Sequence, residues 1–343
     1  MTRKGANPAP DQPVSIASVA RRAGVSIATV SRVINGIANK ASADTVAKVR
    51  EAVAALDYRP SSAGQSLRQR KSRLVAVLAA NMANPTMAAI AASVEVALRE
   101  KDLVMVLCDT HDKPELQDEY LKEMRAQQAR AIVLLGAVAS PLLAALRGGT
   151  TPLIFVNRLD PGGGASPFVG IDNDAAGADM ARHALSRGLV RPAIIHAPLT
   201  SSATRARVEA MARVYAEAGH PVPPERRLGP PLRDHLAIGH HAVRLLVEQG
   251  LSCDAYLCTG DLIAFGARKA LVEARGDAGS APFFGFDDNP LNDWVAPWLS
   301  SMRIPYAAYG EAIVDLILSE NGEAPRQRIL PHALVIRPAA GEG

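Results

Sequence analysis

From Leu74 onward the chain alternates between two kinds of segment, and no other feature of the sequence restricts its fold as much. Unbroken apolar runs occur at Leu74–Ala80, Leu103–Cys108, Ala131–Leu135, Leu153–Val156 and Val169–Ile171. A second set lies at Ala193–Ala197, Ala255–Cys258 and Phe283–Phe286. Between them lie amphipathic stretches, among them Met87–Glu100, Pro114–Gln128, Ala175–Arg187, Arg205–Ala218, Ile238–Gln249 and Leu262–Ala274. Strands that are apolar throughout need cover on both faces, so the pattern predicts parallel sheets sandwiched by helices. Two successive series predict two doubly wound subdomains, with ligands at the carboxyl ends of the strands. A late strand is expected at Leu330–Arg337.

The residues before Leu74 read differently. Ser15 is placed to cap a helix running to Ala23, with Ile16, Val19 and Ala20 inward. Gly24 supplies the positive φ of a tight turn. Ser26 caps a second helix running to about Asn35, with Val30, Val33 and Ile34 inward and Ile27, Ala28, Ser31, Arg32 and Asn35 outward. A third helix follows Ser42, with Val46, Val49, Val53 and Leu56 inward, and ends near Tyr58-Arg59-Pro60. Two short helices joined at a glycine make a helix-turn-helix, whose second helix fits the major groove of DNA.

Charge supports that reading. The net charge of +4 hides an asymmetry: residues 1–73 carry 13 Lys and Arg against 4 Asp and Glu, and the remainder carries 25 against 30. A basic head on an acidic body points to a polyanion at the head alone.

The run Ala17-Ser-Val-Ala-Arg-Arg-Ala-Gly-Val-Ser-Ile-Ala-Thr-Val-Ser-Arg-Val-Ile-Asn-Gly36, with Tyr58-Arg-Pro60 and Ser66-Leu67 behind it, resembles the lactose-repressor/purine-repressor (LacI/GalR) family of bacterial transcription regulators. The resemblance continues through Asn84-Pro85, Val156-Asn-Arg158, Ile171-Asp-Asn173, Arg205-Ala-Arg207, Thr259-Gly-Asp261 and Phe284-Gly-Phe-Asp287. It implies an all-α helix-turn-helix headpiece on an α/β, periplasmic-binding-protein-like core. It also implies a homodimer that binds double-stranded, pseudo-palindromic operator DNA under the control of a small-molecule effector. The expected parts are an arm at 1–13, disordered and without a secretion signal, the DNA-binding domain at 14–60, a hinge helix at 61–72 and a body at 73–339. Within the body, one subdomain spans about 73–172 plus 305–331 and the other 173–304. The expected protein is a repressor, cytoplasmic and nucleoid-associated, with no cofactor, no bound metal and no membrane span. No leucine heptad closes the chain, so dimers are expected in place of tetramers.

In the head, Arg32 suits a bidentate contact with guanine O6 and N7. Ser26, Thr29, Ser31 and Asn35 suit phosphate contacts, which fix register without reading sequence. Ile27 and Ala28 fall at the two positions the family uses most for base discrimination, and they offer only van der Waals contact. The resemblance makes Leu67 the hinge residue that wedges into a central base step of the minor groove. Gly64 and Gln65 depart from the alanine and arginine common there. Glycine costs about 1 kcal/mol of helix propensity, so this hinge is expected to depend on DNA for its helix.

In the body, Arg158, Arg207, Asp261 and Asp287 sit just past apolar runs and are expected to face one cleft. Carboxylates and guanidinium groups pair with adjacent hydroxyls, so the set suits a sugar or sugar derivative, unless its members brace the cleft by pairing with each other. Asn84 and Thr86 are expected at the mouth. Trp298 either stacks on a sugar ring or belongs to the core.

Two other classes compete with this one. The body alone would suit a solute-binding protein, but the head argues against it. An enzyme would need a constellation that is missing: Gly162-Gly-Gly164 is not between strand and helix, and neither Gly-x-Ser-x-Gly nor His-x-x-x-His occurs. His240-His241 reads as a helix surface, and Cys108, Cys253 and Cys258 read as buried thiols.

Overall fold

The structure is a computed structural model, and it describes residues 14–35, 41–58, 72–319 and 326–338. The chain divides after Ser72 into two units, each described by itself.

The first unit holds α1 (Ile16–Ala23), α2 (Ile27–Ile34) and α3 (Ala43–Ala55). Each begins on a serine whose hydroxyl accepts a backbone N–H of the first turn: Ser15 from Ser18, Ser26 from Thr29, Ser42 from Thr45. Gly24 ends α1 at φ 65, which a side chain would strain. Val19, Val30 and Val49 are fully buried and lock one helix each to the others, with Ala20, Val33 and Ala52 around them. Burying a valine stabilises a fold by about 1.5–3 kcal/mol, which matters in a unit this small. The outer part of the expected apolar face, Ile16, Ile34, Val46, Val53 and Leu56, is only half-buried. The hinge positions Gly64, Gln65 and Leu67 lie outside the described residues.

The second unit contains two six-stranded sheets. The first is built from β1 (Leu74–Ala79), β2 (Val104–Asp109), β3 (Ala131–Leu135), β4 (Leu153–Val156) and β5 (Phe168–Ile171). The second is built from β6 (Pro192–Ile195), β7 (Arg227–Leu228), β8 (Ala255–Cys258), β9 (Phe283–Asp287) and β10 (Leu299–Arg303). The chain then adds β11 (Gln327–Leu330) to the first sheet and β12 (Ala333–Val335) to the second. The orders are β11-β5-β4-β3-β1-β2 and β12-β10-β9-β8-β6-β7, and the described pairings are parallel except β10 with β12. The central strands β3, β4 and β5 are buried along their length, as expected for sheets covered on both faces.

Helices α4 (Pro85–Glu100), α5 (Pro114–Ala126) and α6 (Pro141–Leu146) connect strands of the first sheet. Helices α7 (Asn173–Ser186), α8 (Ser202–Glu217), α9 (His235–Glu248), α10 (Asp261–Arg275) and α11 (Asn292–Val295) belong to the second subdomain. Helix α12 (Tyr306–Leu318) returns to the first and packs on α4. α9 and α10 touch backbone to backbone: a Cβ on Gly239 would lie 1.9 Å from the Ile263 carbonyl oxygen, and one on Gly266 the same distance from that of Leu236.

Three sequence expectations need correction. The late strand at 330–337 is two short strands in different sheets, so the chain crosses between subdomains a third time at Pro331-His332 and the second subdomain includes β12. The sequence pattern does not announce β10, whose serines are polar, yet Ser300 and Ser301 are buried through hydrogen bonds to Arg337 and Asp261. β2 is an edge strand, with Val104 and Leu107 exposed, and is not covered on both faces. Among the described residues, no helix is long and apolar enough to cross a membrane.

Candidate functional site

On the head, Ser26, Ile27, Ala28 and Arg32 are exposed, Ile27 to 49 % of its area. Arg32 lies along α2, its Nε donating to the Ala28 carbonyl at 3.3 Å. The Ser26 and Thr29 hydroxyls are 2.9 Å apart, and those of Ser42 and Thr45 2.8 Å. All four line one groove with Arg32 between the starts of α2 and α3. Two helix N-termini and four hydroxyls offer donors suited to phosphate oxygens, with the Arg32 guanidinium beside them. Ser42 and Thr45 were legible in the sequence only as a helix cap. Ser31 is placed differently from its expectation: it is 5 % exposed. It precedes Ile34 by three residues, so it shares that residue's inward side. Asn35 turns back on the helix, its Nδ2 donating to the Ser31 carbonyl at 2.7 Å and lying 3.3 Å from the Ser31 hydroxyl.

The body carries its polar groups at strand ends, between the subdomains. Arg207 on α8 is buried, its guanidinium carbon 4.1 Å from the centroid of the Phe286 ring. Its Nε donates to Asn173 Oδ1 at 2.7 Å and its Nη1 to the Thr259 carbonyl at 2.9 Å. Both acceptors are neutral. Burial pulls the Arg207 pKa down, against the pull of Asp287.

Asp287 ends β9 at φ 112, in the left-handed region that a non-glycine residue rarely adopts. Burial, with the nearby Asp261, pushes its carboxyl up to about 7, against Arg207 and a hydrogen bond with Thr86. Tyr306, at the start of α12, donates its hydroxyl to the Asp287 carbonyl. Asn84 caps α4, its Oδ1 accepting from the Thr86 N–H at 3.0 Å, which presents Thr86 to Asp287.

Asp261, the first residue of α10, has both carboxyl oxygens occupied. Oδ1 accepts from Ser301 Oγ at 2.6 Å, and Oδ2 accepts from Asn292 Nδ2 at 2.7 Å and the Asn289 N–H at 3.1 Å. Burial raises it to about 6 against those bonds. Its place is that of a brace behind Asp287. Arg158 likewise has a partner: its Nη1 meets Asp112 Oδ1 at 2.6 Å. Trp298 is not with this group. Leu299, next to it, pairs with the first residue of β9, whereas Asp287 pairs with Arg303 at the other end, about 13 Å along the strand. There Trp298 packs edge-on against Phe283 and Phe265 under the Arg268 guanidinium, so it belongs to the core.

Sequence reasoning missed Asp112, Asn173, His235, Tyr306 and Tyr309. A Cβ built on Gly260 would lie 3.9 Å from both His235 Nδ1 and Asp287 Oδ2, so these two side chains flank the start of α10. Burial, then the charge of Arg158, lowers the His235 pKa. The two subdomains also touch directly. Arg233 Nη1 donates to the His111 carbonyl at 3.1 Å, and the Leu159 N–H to Ser202 Oγ at 2.8 Å. A buried cation, a buried carboxyl and tyrosine hydroxyls gathered where the two subdomains meet suit a small polyhydroxylated molecule.

Comparison with known proteins agrees with both units. Residues 15–61 match the family described as bacterial regulatory proteins, lacI family, and residues 71–282 match periplasmic binding proteins and sugar binding domain of LacI family. The chain is 31% identical over 306 residues to the HTH-type transcriptional regulator GntR of Pseudomonas aeruginosa, covering 88% of this chain and 87% of the relative. It is 27% identical over 304 residues to the ribose operon repressor of Escherichia coli K12, covering 88% and 91%. Among solved structures, the lac repressor dimer bound to operator and the anti-inducer ONPF superposes with a TM-score of 0.78 at 22% identity, covering 96% of this chain and 99% of that one. The CelR–cellobiose complex gives 0.68 at 24% identity, covering 95% and 100%. These relatives are transcriptional regulators, not enzymes. The chain belongs to the lacI family of bacterial regulatory proteins: it is a DNA-binding transcriptional regulator whose body is the family's periplasmic-binding and sugar-binding domain.

Proposed function

We propose that this regulator is a homodimeric, cytoplasmic repressor whose affinity for a pseudo-palindromic operator is set by a sugar or sugar derivative held between the two subdomains. The observation that carries the ligand class is Arg207: a buried cation, hydrogen-bonded among the described residues only to neutral acceptors, beside the buried carboxyl of Asp287. Such a pair serves a polyol well, because one hydroxyl accepts from the guanidinium while its neighbour donates to the carboxylate. Among the similar proteins, a ribose operon repressor and a regulator solved with cellobiose support the same class. The lac repressor dimer on its operator supports the homodimer and the DNA partner.

At the head, Arg32 reads one G·C pair per half-site. Ile27 and Ala28 add van der Waals contact, for example to a thymine methyl. Ser26 and Thr29 hold phosphates, Asn35 shapes the end of the reading helix, and Leu67 wedges into the central step. Ligand bound by Arg207, Asp287 and Thr86, with Arg158, Asp261 and Asn84 supporting them, stabilises one arrangement of the subdomains and so changes how the two heads are spaced. Linkage requires ligand and operator to alter each other's affinity by the same factor.

The test is fluorescence anisotropy of the full-length protein on DNA from the promoter of its own gene, with and without D-ribose, D-glucose and D-gluconate. Salt-sensitive binding that a sugar changes by fivefold or more is the expected result. Absence of DNA binding at low salt removes the regulator's operator reading, and DNA binding that no sugar changes removes the ligand class.

A further inference from the structure

Tyr309 lies three residues after Tyr306 on α12, a spacing that puts both side chains on one face of the helix. Tyr306 spends its hydroxyl on the Asp287 carbonyl. Tyr309 is fully buried, and its hydroxyl has no hydrogen-bond partner among the described residues. Its ring is part of the apolar core with Phe286 and Val156, so the unpaired oxygen is the one polar atom that this side chain brings inside. Its place is fixed by its neighbours: Tyr306, one turn earlier, reaches the Asp287 carbonyl, and Phe286, in the same core cluster, lies under the Arg207 guanidinium.

A buried hydroxyl without a partner costs a fold about 1–3 kcal/mol, and a phenylalanine would fill the same space without that cost. The oxygen therefore calls for an occupant outside the fold. Arg207 points to the same occupant, because its Nε and Nη1 have partners and its Nη2 has none among the described residues. Two unused donors, one from each subdomain, then stand at the same charged centre.

We propose that Tyr309 is a specificity-determining residue of the effector site, donating its hydroxyl to a ligand oxygen that also accepts from Arg207 Nη2. This rests on the sugar reading above and narrows it. The effector carries an oxygen at its innermost position, and an analogue with hydrogen or methyl there is rejected. The rejection is strong for a physical reason: such an analogue leaves both a phenol and a guanidinium N–H unpaired in a buried place.

The experiment uses the full-length protein and its Tyr309→Phe variant. Each is titrated calorimetrically with D-ribose, D-glucose and D-gluconate, and with deoxy analogues of whichever binds. Thermal melts without sugar accompany them. The expected result is that Tyr309→Phe melts at the same temperature as the wild type or higher, yet binds the sugar about tenfold more weakly. One deoxy analogue should lose affinity for the wild type and not for the variant, which identifies the oxygen. Equal affinity of wild type and variant for the sugar overturns the proposal, and so does a ligand-free melt several degrees lower, which would make the hydroxyl part of the fold. If none of the sugars binds the wild type, the sugar reading fails and this inference falls with it. Equal binding by both proteins sinks the inference alone.

Discussion

The Nε of Arg207 donates to Oδ1 of Asn173 at 2.7 Å, tying the cation of the cleft to the first helical residue after the chain passes from one subdomain to the other. The position of the guanidinium is thus set by the crossover itself. Two substitutions separate what this contact does for the fold from what it does for the ligand. Asn173→Ala strands a buried charged donor and should cost about 1–3 kcal/mol in urea unfolding. Arg207→Met removes the charge together with its desolvation penalty and should leave the fold as stable or more so, while abolishing the response to sugar. Loss of stability in the methionine variant as large as in the alanine variant would contradict this account.

Which residues of this site were legible depends on the strand that presents them. Arg158, Asp261 and Asp287 could be read because each follows an apolar run or opens the helix behind it; Arg207 lies in the second turn of α8, twelve residues past β6, and only the family resemblance marks it. His235 could not, because the strand before its loop, β7, is two residues long and leaves no apolar run to notice. Asp112 sits in a turn where His111 and Asp112 both take positive φ, a conformation that neither residue type announces. For Trp298 the choice between sugar stacking and core turns on strand direction, which puts it at the end of β10 away from Asp287. The pairing of β11 and β12 with different sheets depends on a two-residue crossing, which in sequence reads as the interior of one strand. The helical head was the most legible part, since caps, turn glycine and apolar spacing are all local. Its one misplacement, Ser31, is a small residue that fits the edge of a core as easily as a surface.

Asp261 and Asp287 make stability depend on pH in an unusual direction. Burial raises both carboxyls, to about 6 and about 7, above the value near 4 that they have in the unfolded chain. Between about pH 4 and 7 the folded protein therefore holds more protons than the unfolded one, and their contribution to stability falls as pH rises. Asp287→Asn removes one of these groups. Its stability relative to the wild type should rise by on the order of 1–3 kcal/mol from pH 4.5 to pH 7.5, measured by urea unfolding at both values. His183, His196 and His235, whose pKa values burial lowers, act in the opposite sense below about pH 6.5 and are present in both proteins. A constant difference between variant and wild type would show that Asp287 does not titrate in this range.

The groove on the head separates two kinds of DNA contact. Arg32→Ala should cost about 1–3 kcal/mol and relax preference at a single G·C pair per half-site. Ser42→Ala and Thr45→Ala should weaken binding on specific and unrelated DNA alike and change no preference, because on DNA the hydroxyls offer contacts to phosphate alone and the loss of the Ser42 cap is independent of sequence. Anisotropy titrations on an operator, on its point variants and on unrelated DNA distinguish the two. If Arg32→Ala weakened binding equally on all sequences, that arginine would be a phosphate clamp.

Arg337, two residues beyond β12, shows why the third crossing matters to the cleft. Its Nη1 meets Asp288 Oδ1 at 2.7 Å and its Nη2 meets Asp293 Oδ1 at 2.6 Å, while its N–H donates to Ser300 Oγ at 3.0 Å. Arg303 takes the other oxygen of Asp288 at 2.7 Å, and the Asp288 side chain is only 3 % exposed. Asp288 follows Asp287, so the two arginines hold the strand end on which the ligand-facing carboxyl rests. Arg337→Ala would leave a buried carboxylate with one partner in place of two, and should cost about 3 kcal/mol in unfolding free energy. Arg213, paired with Asp174 at 2.7 Å but half-exposed with it, is the control. Its alanine variant should fall within about 0.5 kcal/mol of the wild type, because water screens an exposed pair and solvates whichever partner remains. Equal losses in the two variants would mean that the C-terminal strand is held by general packing and that its arginine does not fix the end of β9.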